Sequence, residues 1–319
     1  MFGVHRFTTD SIAMSKEERQ LDRFVREHGD DGATFAPTSV EDAIGGSFVE
    51  TDEIESIQNR VRGWLDVPRP VHVVGPTGCG KTALALSVAA ARDQPVVWIN
   101  GDELLDTGSL VGERSGKAQY KERDNYVRGV MKKKSIIKDR WVDNPLSVAV
   151  QNGATLVYNE FSRSKPAAHN VLLSVFEEGV LDRPGQRGED RVVEVDPEFR
   201  AIFTSNSTEY AGVHRPQDAL LDRFIGVHLD YYNRETETEI VSSRVDLDDE
   251  EVAWVVETVR ELRDRLDLHV GTRAAVMVAE GLTAFGEDEM VEICVDVLGS
   301  KAESFEEVEE IREEIEDVV

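Results

Sequence analysis

The octapeptide Gly75-Pro-Thr-Gly-Cys-Gly-Lys-Thr82 constrains this chain more than any other stretch. Its spacing, G-x-x-x-x-G-K-[ST], suits one local geometry, a strand that turns through a tight loop into a helix. Gly75, Gly78 and Gly80 let the backbone curl so that successive N–H groups point at a single anion, where a side chain would block the approach. Lys81 then supplies a cation for the β- and γ-phosphates, and the Thr82 hydroxyl is positioned to ligate Mg²⁺ at the start of the helix. Each position of the loop, Gly75, Pro76, Thr77, Gly78, Cys79, Gly80, Lys81 and Thr82, is therefore a candidate contact for a nucleoside triphosphate. The context agrees. Pro70-Val-His-Val-Val74 reads as a short buried strand, and Ala83 to Arg92 is rich in Ala, Leu and Val, as the following helix should be. A chance Gly-rich turn would lack that order.

The chain has 319 residues and 40 % hydrophobic content, enough for a full core in one large or two moderate domains. Its net charge of −27, from 63 acidic against 36 basic residues, exceeds what solubility needs and would strain a compact state by self-repulsion in dilute buffer. At about 1 M salt the Debye length shrinks to about 3 Å, so the surface suits a halophile's cytoplasm; an ordinary acidic protein is the other reading. Cys79 and Cys294 make no disulfide framework, which implies a reducing compartment. No signal-peptide-like stretch opens the sequence and no apolar run approaches about 18 residues, so a cytoplasmic, non-spanning protein is expected.

Residues 1–45 are polar and irregular, with Gly29-Asp-Asp-Gly32 and Pro37, and read as a poorly ordered N-terminal arm; Met14 offers an alternative start. From Thr51 to Leu65 the spacing of Ile54, Ile57, Val61, Trp64 and Leu65 is helical. Further strands are expected at Pro95–Asn100, Ala154–Tyr158, Phe199–Ser205 and Ile225–Leu229. Strands alternating with helices around a phosphate loop predict a parallel, doubly wound α/β core over 46–232. Beyond Asn233 the spacing of Val252, Val255, Val256, Val259 and Leu262 is helical and no strand follows, which predicts a small all-helical domain over 233–300. Residues 301–319 combine Phe305, Val308, Ile311 and Ile315 with dense Glu, and form either a terminal helix docked on a partner or a solvated acidic tail.

A second motif complements the loop. Ala154-Thr-Leu-Val-Tyr-Asn-Glu160 reads as an apolar strand ending in a polar pair, where nucleotide-hydrolysing folds place their Mg²⁺ and water-orienting groups. Glu160 is the candidate general base. Without the loop upstream it would be an ordinary surface carboxylate.

With four stretches in hand, Phe48-Val-Glu-Thr51, the phosphate loop, Trp141-Val-Asp-Asn144 followed by Thr155 to Ser164, and Ala201-Ile-Phe-Thr-Ser-Asn206, the chain resembles the AAA+ ATPases of the MoxR-like branch. Within that branch it is similar to the gas-vesicle N family, over about residues 48 to 285. The resemblance implies an AAA+ core followed by a helical lid, with ATP and Mg²⁺ as cofactors and Thr82 and Asn159 on the metal. Asn206 resembles the sensor 1 residue that holds the attacking water or γ-phosphate; a strand-end Asn is otherwise a turn former. Arg223 in Leu220-Leu-Asp-Arg-Phe224 resembles an arginine finger that reaches a neighbouring subunit's nucleotide, or else makes an ordinary surface ion pair. Arg273 in Gly271-Thr-Arg-Ala274 resembles the sensor 2 residue that closes the lid on the phosphates. One position departs: Asn159 stands where the family has Asp. It keeps a hydrogen-bond acceptor but brings no charge to Mg²⁺, so slow hydrolysis is expected.

The interval between Lys81 and Glu160 is longer than a minimal strand–helix–strand unit, and the resemblance places an insertion there, at about 112–145. Within it Lys121, Arg123, Arg128, Lys132, Lys133, Lys134, Lys138 and Arg140 face only Glu122, Asp124 and Asp139, eight bases against three acids and a local net charge of +5. This segment grips an acidic client, or is a solvated loop paired with the chain's own acidic surface. Only Tyr120, Tyr126 and Trp141 flank it and no nucleic-acid motif accompanies it, so a nucleic-acid partner is not expected. A second hairpin is expected at about 179–196, around Pro184-Gly185. The resemblance implies a homo-oligomer acting with other gas-vesicle proteins, in the cytoplasm and associated with the vesicle. The rival functions are a MoxR-type chaperone that activates a metalloenzyme, a non-hydrolysing, ATP-gated structural component, and a nucleic-acid motor, which would need salt-sensitive DNA or RNA stimulation of turnover.

Overall fold

The computed structural model describes residues 2–5, 48–122, 134–206, 214–266 and 268–319. A six-stranded sheet organises the first two thirds of the chain. Its strands are β1 (Phe2–His5), β2 (Val71–Gly75), β3 (Val96–Asn100), β6 (Thr155–Asn159), β9 (Arg200–Asn206) and β10 (Ile225–His228), in the order β1-β3-β6-β9-β2-β10. The five strands from β3 to β10 are parallel. The residues of β2, β3, β6 and β9 are buried almost throughout, because helices cover both faces, and this is why such strands read as apolar runs rather than as alternations; in the edge strand β10, Gly226 and His228 are exposed.

β1 lies antiparallel to β3, with Phe2 opposite Ile99 and His5 opposite Val96. The arm expected to be irregular over 1–45 is thus corrected at Phe2–His5, where the backbone caps the sheet's edge; the rest of it lies outside the described residues.

Helices α1 (Asp52–Asp66) and α2 (Lys81–Ala90) cover one face, packing Ile54, Val61, Leu84 and Val88 on Val71, Val73, Val157 and Ile202. Thr51 caps α1 by accepting from the Ile54 N–H at 3.3 Å, and Asp52, Glu53 and Glu55 in the first turn suit the positive end of the helix. Helices α3 (Thr107–Val111), α4 (Pro145–Gln151), α5 (Asn170–Glu177) and α6 (Asp218–Leu221) belong to the opposite face. Its centre is aromatic: Phe203 stacks on Phe224 at 4.5 Å, and Phe161 meets Tyr158 edge-on at 5.2 Å. His169 stacks on Phe161 at 4.0 Å, and burial, aided by His214, lowers its pKa to about 3.

Two hairpins leave this face. β4 (Gly112–Glu122) pairs with β5 (Lys134–Asp143), and β7 (Val180–Asp182) pairs with β8 (Val192–Glu194). They are tied at their bases: Arg183 meets Asp143 at 2.9 Å, and Arg114 donates to the Gly185 carbonyl at 2.6 Å. The basic segment noted above falls at the far end of β4–β5; its residues 123–133 lie outside the described residues.

After β10 the described chain is helical: α7 (Arg234–Ser242), α8 (Asp249–Arg265), α9 (Thr272–Phe285), α10 (Met290–Gly299) and α11 (Phe305–Val318). These five share one core built on Val252, Val255, Val259, Val278, Leu282 and Leu298. α8 starts at a capping box in which Asp248 and Glu251 satisfy each other's backbone N–H groups. The C-terminal stretch is a helix packed on the chain's own helical unit. Ile311 and Ile315 are buried in the helical core, and Arg312 grips Glu292 of α10 with bonds of 2.5 and 2.9 Å. No helix among the described residues is long and apolar enough to cross a membrane.

Candidate nucleotide-binding site

Register brings the site together at the carboxyl ends of the parallel strands. Gly75 at the end of β2 stands opposite Asn206 at the end of β9, and Asn159 at the end of β6 stands opposite Asn100 at the end of β3. Above them, between sheet and helical unit, is a cavity of about 530 Å³. One end is walled by Thr77, Gly78, Gly80, Lys81 and Thr82, with Asn159, Glu160 and Asn206 across from them and Arg273 above. Phe48, Val49, Ile54, Ile240 and Val276 also line the cavity, together with Arg244 and Glu280. Phosphate-loop and cationic groups beside apolar side chains suit a phosphate tail and a base.

The loop's glycines divide their work. Gly78 and Gly80 adopt φ of 82° and 84°, the left-handed region that other residues avoid. Gly75 has a different reason: a Cβ there would sit 2.4 Å from the Leu229 carbonyl oxygen, so its place is fixed by the chain leaving β10 rather than by an anion. Cys79 is buried in the α2-side core, where burial raises its thiol pKa, and its side chain does not wall the cavity. The Lys81 ammonium donates to the Pro76 carbonyl at 2.6 Å. Burial pulls its pKa below the usual lysine range and nearby Arg273 adds to this, while Cys79 and Glu160 oppose it.

Opposite the loop, the Asn159 amide is held on three sides. Its Oδ1 accepts from Thr82 Oγ1 at 2.7 Å and from Thr204 Oγ1 at 2.8 Å, and its Nδ2 donates to Asn100 Oδ1 at 3.0 Å. Glu160 follows with φ of 51°, a left-handed backbone uncommon for a residue with a side chain. Two contacts maintain it. Its N–H donates to Thr204 Oγ1 at 3.2 Å, and Gly101 packs so closely that a Cβ there would lie 1.9 Å from the Glu160 carbonyl oxygen. The turn presents the carboxylate to Asn206, whose Nδ2 donates to Oε2 at 3.2 Å. Arg273 enters from the first turn of α9, and the N-cap Gly271 seats against the loop, where a Cβ would lie 2.7 Å from the Thr77 carbonyl oxygen.

The AAA domain of the dynein-related subfamily matches residues 70–224. The chain is 61 % identical over 273 residues to the gas vesicle ATPase GvpN of Haloferax mediterranei, covering 84 % of this chain and 79 % of that protein. Against GvpN1 of Halobacterium salinarum the identity is 53 % over 314 residues, with 96 % and 90 % covered, and against GvpN of Ancylobacter aquaticus 40 % over 291 residues, with 89 % and 82 % covered. The chain belongs to the GvpN family of gas vesicle ATPases.

Within this GvpN-family chain, Thr82, Asn159, Glu160, Asn206 and Arg273 converge on one cavity together with the phosphate loop, and Arg223 does not. Arg223 follows α6, forms a salt bridge of 2.6 Å with Glu177 of α5 and donates to the Ala219 carbonyl. The isolated chain therefore satisfies it with the surface ion pair named as the alternative to a finger. Thr204, Asn100 and Gly101 escaped the reading of the sequence. Thr204 was within reach of it, since two residues before Asn206 on one strand is the same face; Asn100 and Gly101 act through cross-strand register, which no local pattern encodes.

Proposed function

We propose that this chain binds ATP with Mg²⁺ and hydrolyses it as a homo-oligomeric remodelling factor in gas-vesicle formation, working on other gas-vesicle proteins in the cytoplasm and at the vesicle. The observation that carries the reading is the Glu160–Asn206 pair, 3.2 Å apart, facing the phosphate loop beneath Arg273. The residues fit the metal. Thr82 Oγ1 and Asn159 Oδ1 are hard oxygen donors 2.7 Å apart, and no cluster of three or more His, Cys, Asp or Glu among the described residues would hold a metal by itself. That suits an ion carried in with the nucleotide and keeping several of its waters. When bound, Mg²⁺ neutralises phosphate charge.

The chain's own groups would do the rest. Loop N–H groups and Lys81 cradle the phosphate tail, and binding draws the ammonium off the Pro76 carbonyl. Glu160 accepts the proton of the attacking water, and Asn206 fixes the carboxylate's orientation. Arg273 offsets charge on the terminal phosphate from the lid, and Arg223, released from Glu177, serves a neighbouring subunit's nucleotide. The paired hairpins with their basic segment would meet the client, whose acidic surface they complement.

Asn159 favours a second reading, an ATP-gated structural component that does not turn over, because the site lacks the charge that an Asp would bring. The two are separated by ATP turnover in multimolar KCl with Mg²⁺, wild type beside Glu160→Gln, with gas-vesicle proteins added. The first requires turnover that Glu160→Gln lowers by about a hundredfold or more while ATP still binds. Tight ATP binding with no turnover in either protein supports the second.

A further inference from the structure

Glu237 lies in the first turn of α7, and none of its surface is exposed. A buried carboxylate is costly unless its lone pairs are filled, and here three side chains fill them. Arg260 Nη1 donates to Oε2 at 2.7 Å; Arg263 donates from Nη2 to Oε1 at 2.6 Å and from Nη1 to Oε2 at 3.2 Å; Thr272 Oγ1 donates to Oε1 at 2.9 Å. The arginines extend the network to the segment that joins the two units and to the loop that leads into α9. Arg260 also donates to the Tyr232 carbonyl at 3.0 Å, Arg263 to the Val270 carbonyl at 2.5 Å, and the Arg263 guanidinium lies 4.2 Å from the centre of the Tyr231 ring. α7 is anchored to the core in turn: Asn233 N–H donates to Glu53 at 3.1 Å, and the Thr51 and Thr236 hydroxyls meet at 2.9 Å.

One carboxylate thus gathers α7, α8, the joining segment and the start of α9. The last of its donors, Thr272, immediately precedes Arg273, and Gly271 on the other side is seated on the phosphate loop. We propose that Glu237 is a positioning residue for catalysis: through the Thr272 hydroxyl and the two arginines it fixes the leading turn of α9, and with it Arg273, over the phosphate end of the cavity. Val270, Ala274 and Ala275 of the helical core flank that turn, and the Thr272–Glu237 bond adds the polar contact next to Arg273. The inference rests on the reading of Arg273 as a phosphate-facing residue.

Glu237→Gln removes the charge and risks the fold, so the sharper variant is Thr272→Val, which keeps the shape and deletes one bond. The test measures steady-state ATP turnover and binding of a fluorescent ADP analogue for the full chain in multimolar KCl with Mg²⁺. Thr272→Val, Thr272→Ser, Arg273→Ala and the double variant Thr272→Val/Arg273→Ala are compared. Thr272→Val should lower kcat about tenfold while changing ADP affinity by less than about threefold, and Thr272→Ser should restore kcat. The double variant should be no slower than Arg273→Ala, because the two act as one unit. Wild-type turnover in Thr272→Val beside a slow Arg273→Ala overturns the inference and leaves the reading of Arg273 standing, whereas wild-type turnover in Arg273→Ala removes both. Multiplying losses in the double variant, or a fall in kcat that tracks loss of folded protein by circular dichroism, also overturns it.

Discussion

At the scale of single residues the site turns on one atom. Where the resemblance leads one to expect Asp, position 159 carries an amide, and the surrounding groups use both of its ends: two hydroxyls donate to Oδ1 while Nδ2 donates to Asn100. An Asp there would lose its donor and face Asn100 with a second acceptor, unless the Asn100 amide turned round to present its NH₂. Asn159→Asp should therefore tighten Mg²⁺ dependence, lowering the half-saturating Mg²⁺ concentration about tenfold and raising kcat, at little cost in stability because Asn100 can turn. A Mg²⁺ titration of ATP turnover checks it, and an unchanged midpoint with unchanged kcat would show that the charge at 159 is immaterial. That Asn159 and Glu160 end a strand was legible from the apolar run before them. Thr204 could have been placed on the Asn206 face by its spacing; that Asn100 completes the cluster could not, because that contact is set by which strands lie side by side.

Elements show the same division. The inner parallel strands were legible because each is buried on both faces and reads as a nearly uninterrupted apolar segment, and the helical unit because its valines recur at helical spacing. β1 was not, since four residues at the chain's start carry no signal until β3 offers an edge to pair with. The aromatic face beneath β6 and β9 carries a consequence for pH. His169 is held neutral there with a pKa of about 3, against about 6.5 in an unfolded chain, so between these values the unfolded state binds the extra proton. Stability is then complete above about pH 6.5, declines as the pH falls, and levels off only below about pH 3, with a loss on the order of a few kcal/mol. Denaturant midpoints in concentrated salt should fall between pH 7 and pH 5, and His169→Phe should reduce that fall. Parallel pH profiles for the two proteins would assign the acid sensitivity elsewhere.

For the whole molecule, the question is what Arg223 does when the chain has company. Alone, it spends its charge on Glu177, 2.6 Å away and half exposed, a bond worth little against a phosphate. If neighbouring subunits recruit it, Arg223→Ala should cut turnover by about a hundredfold or more while ATP affinity stays within about threefold. Mixing the variant with Glu160→Gln protein should then recover part of the activity, since each would supply what the other lacks at a shared boundary. Equal loss of binding and turnover, or no recovery on mixing, would return Arg223 to a structural role. The seat of Gly271 on the Thr77 carbonyl bears on the same assembly. With no room for a side chain at that contact, the leading turn of α9 rests directly on the phosphate loop, and any change in the angle between the helical unit and the sheet must first lift Gly271 off Thr77. If subunits do assemble and the helical unit closes on bound nucleotide, the dwell of this one contact would set the interval between cycles, and Gly271→Ala would shorten it.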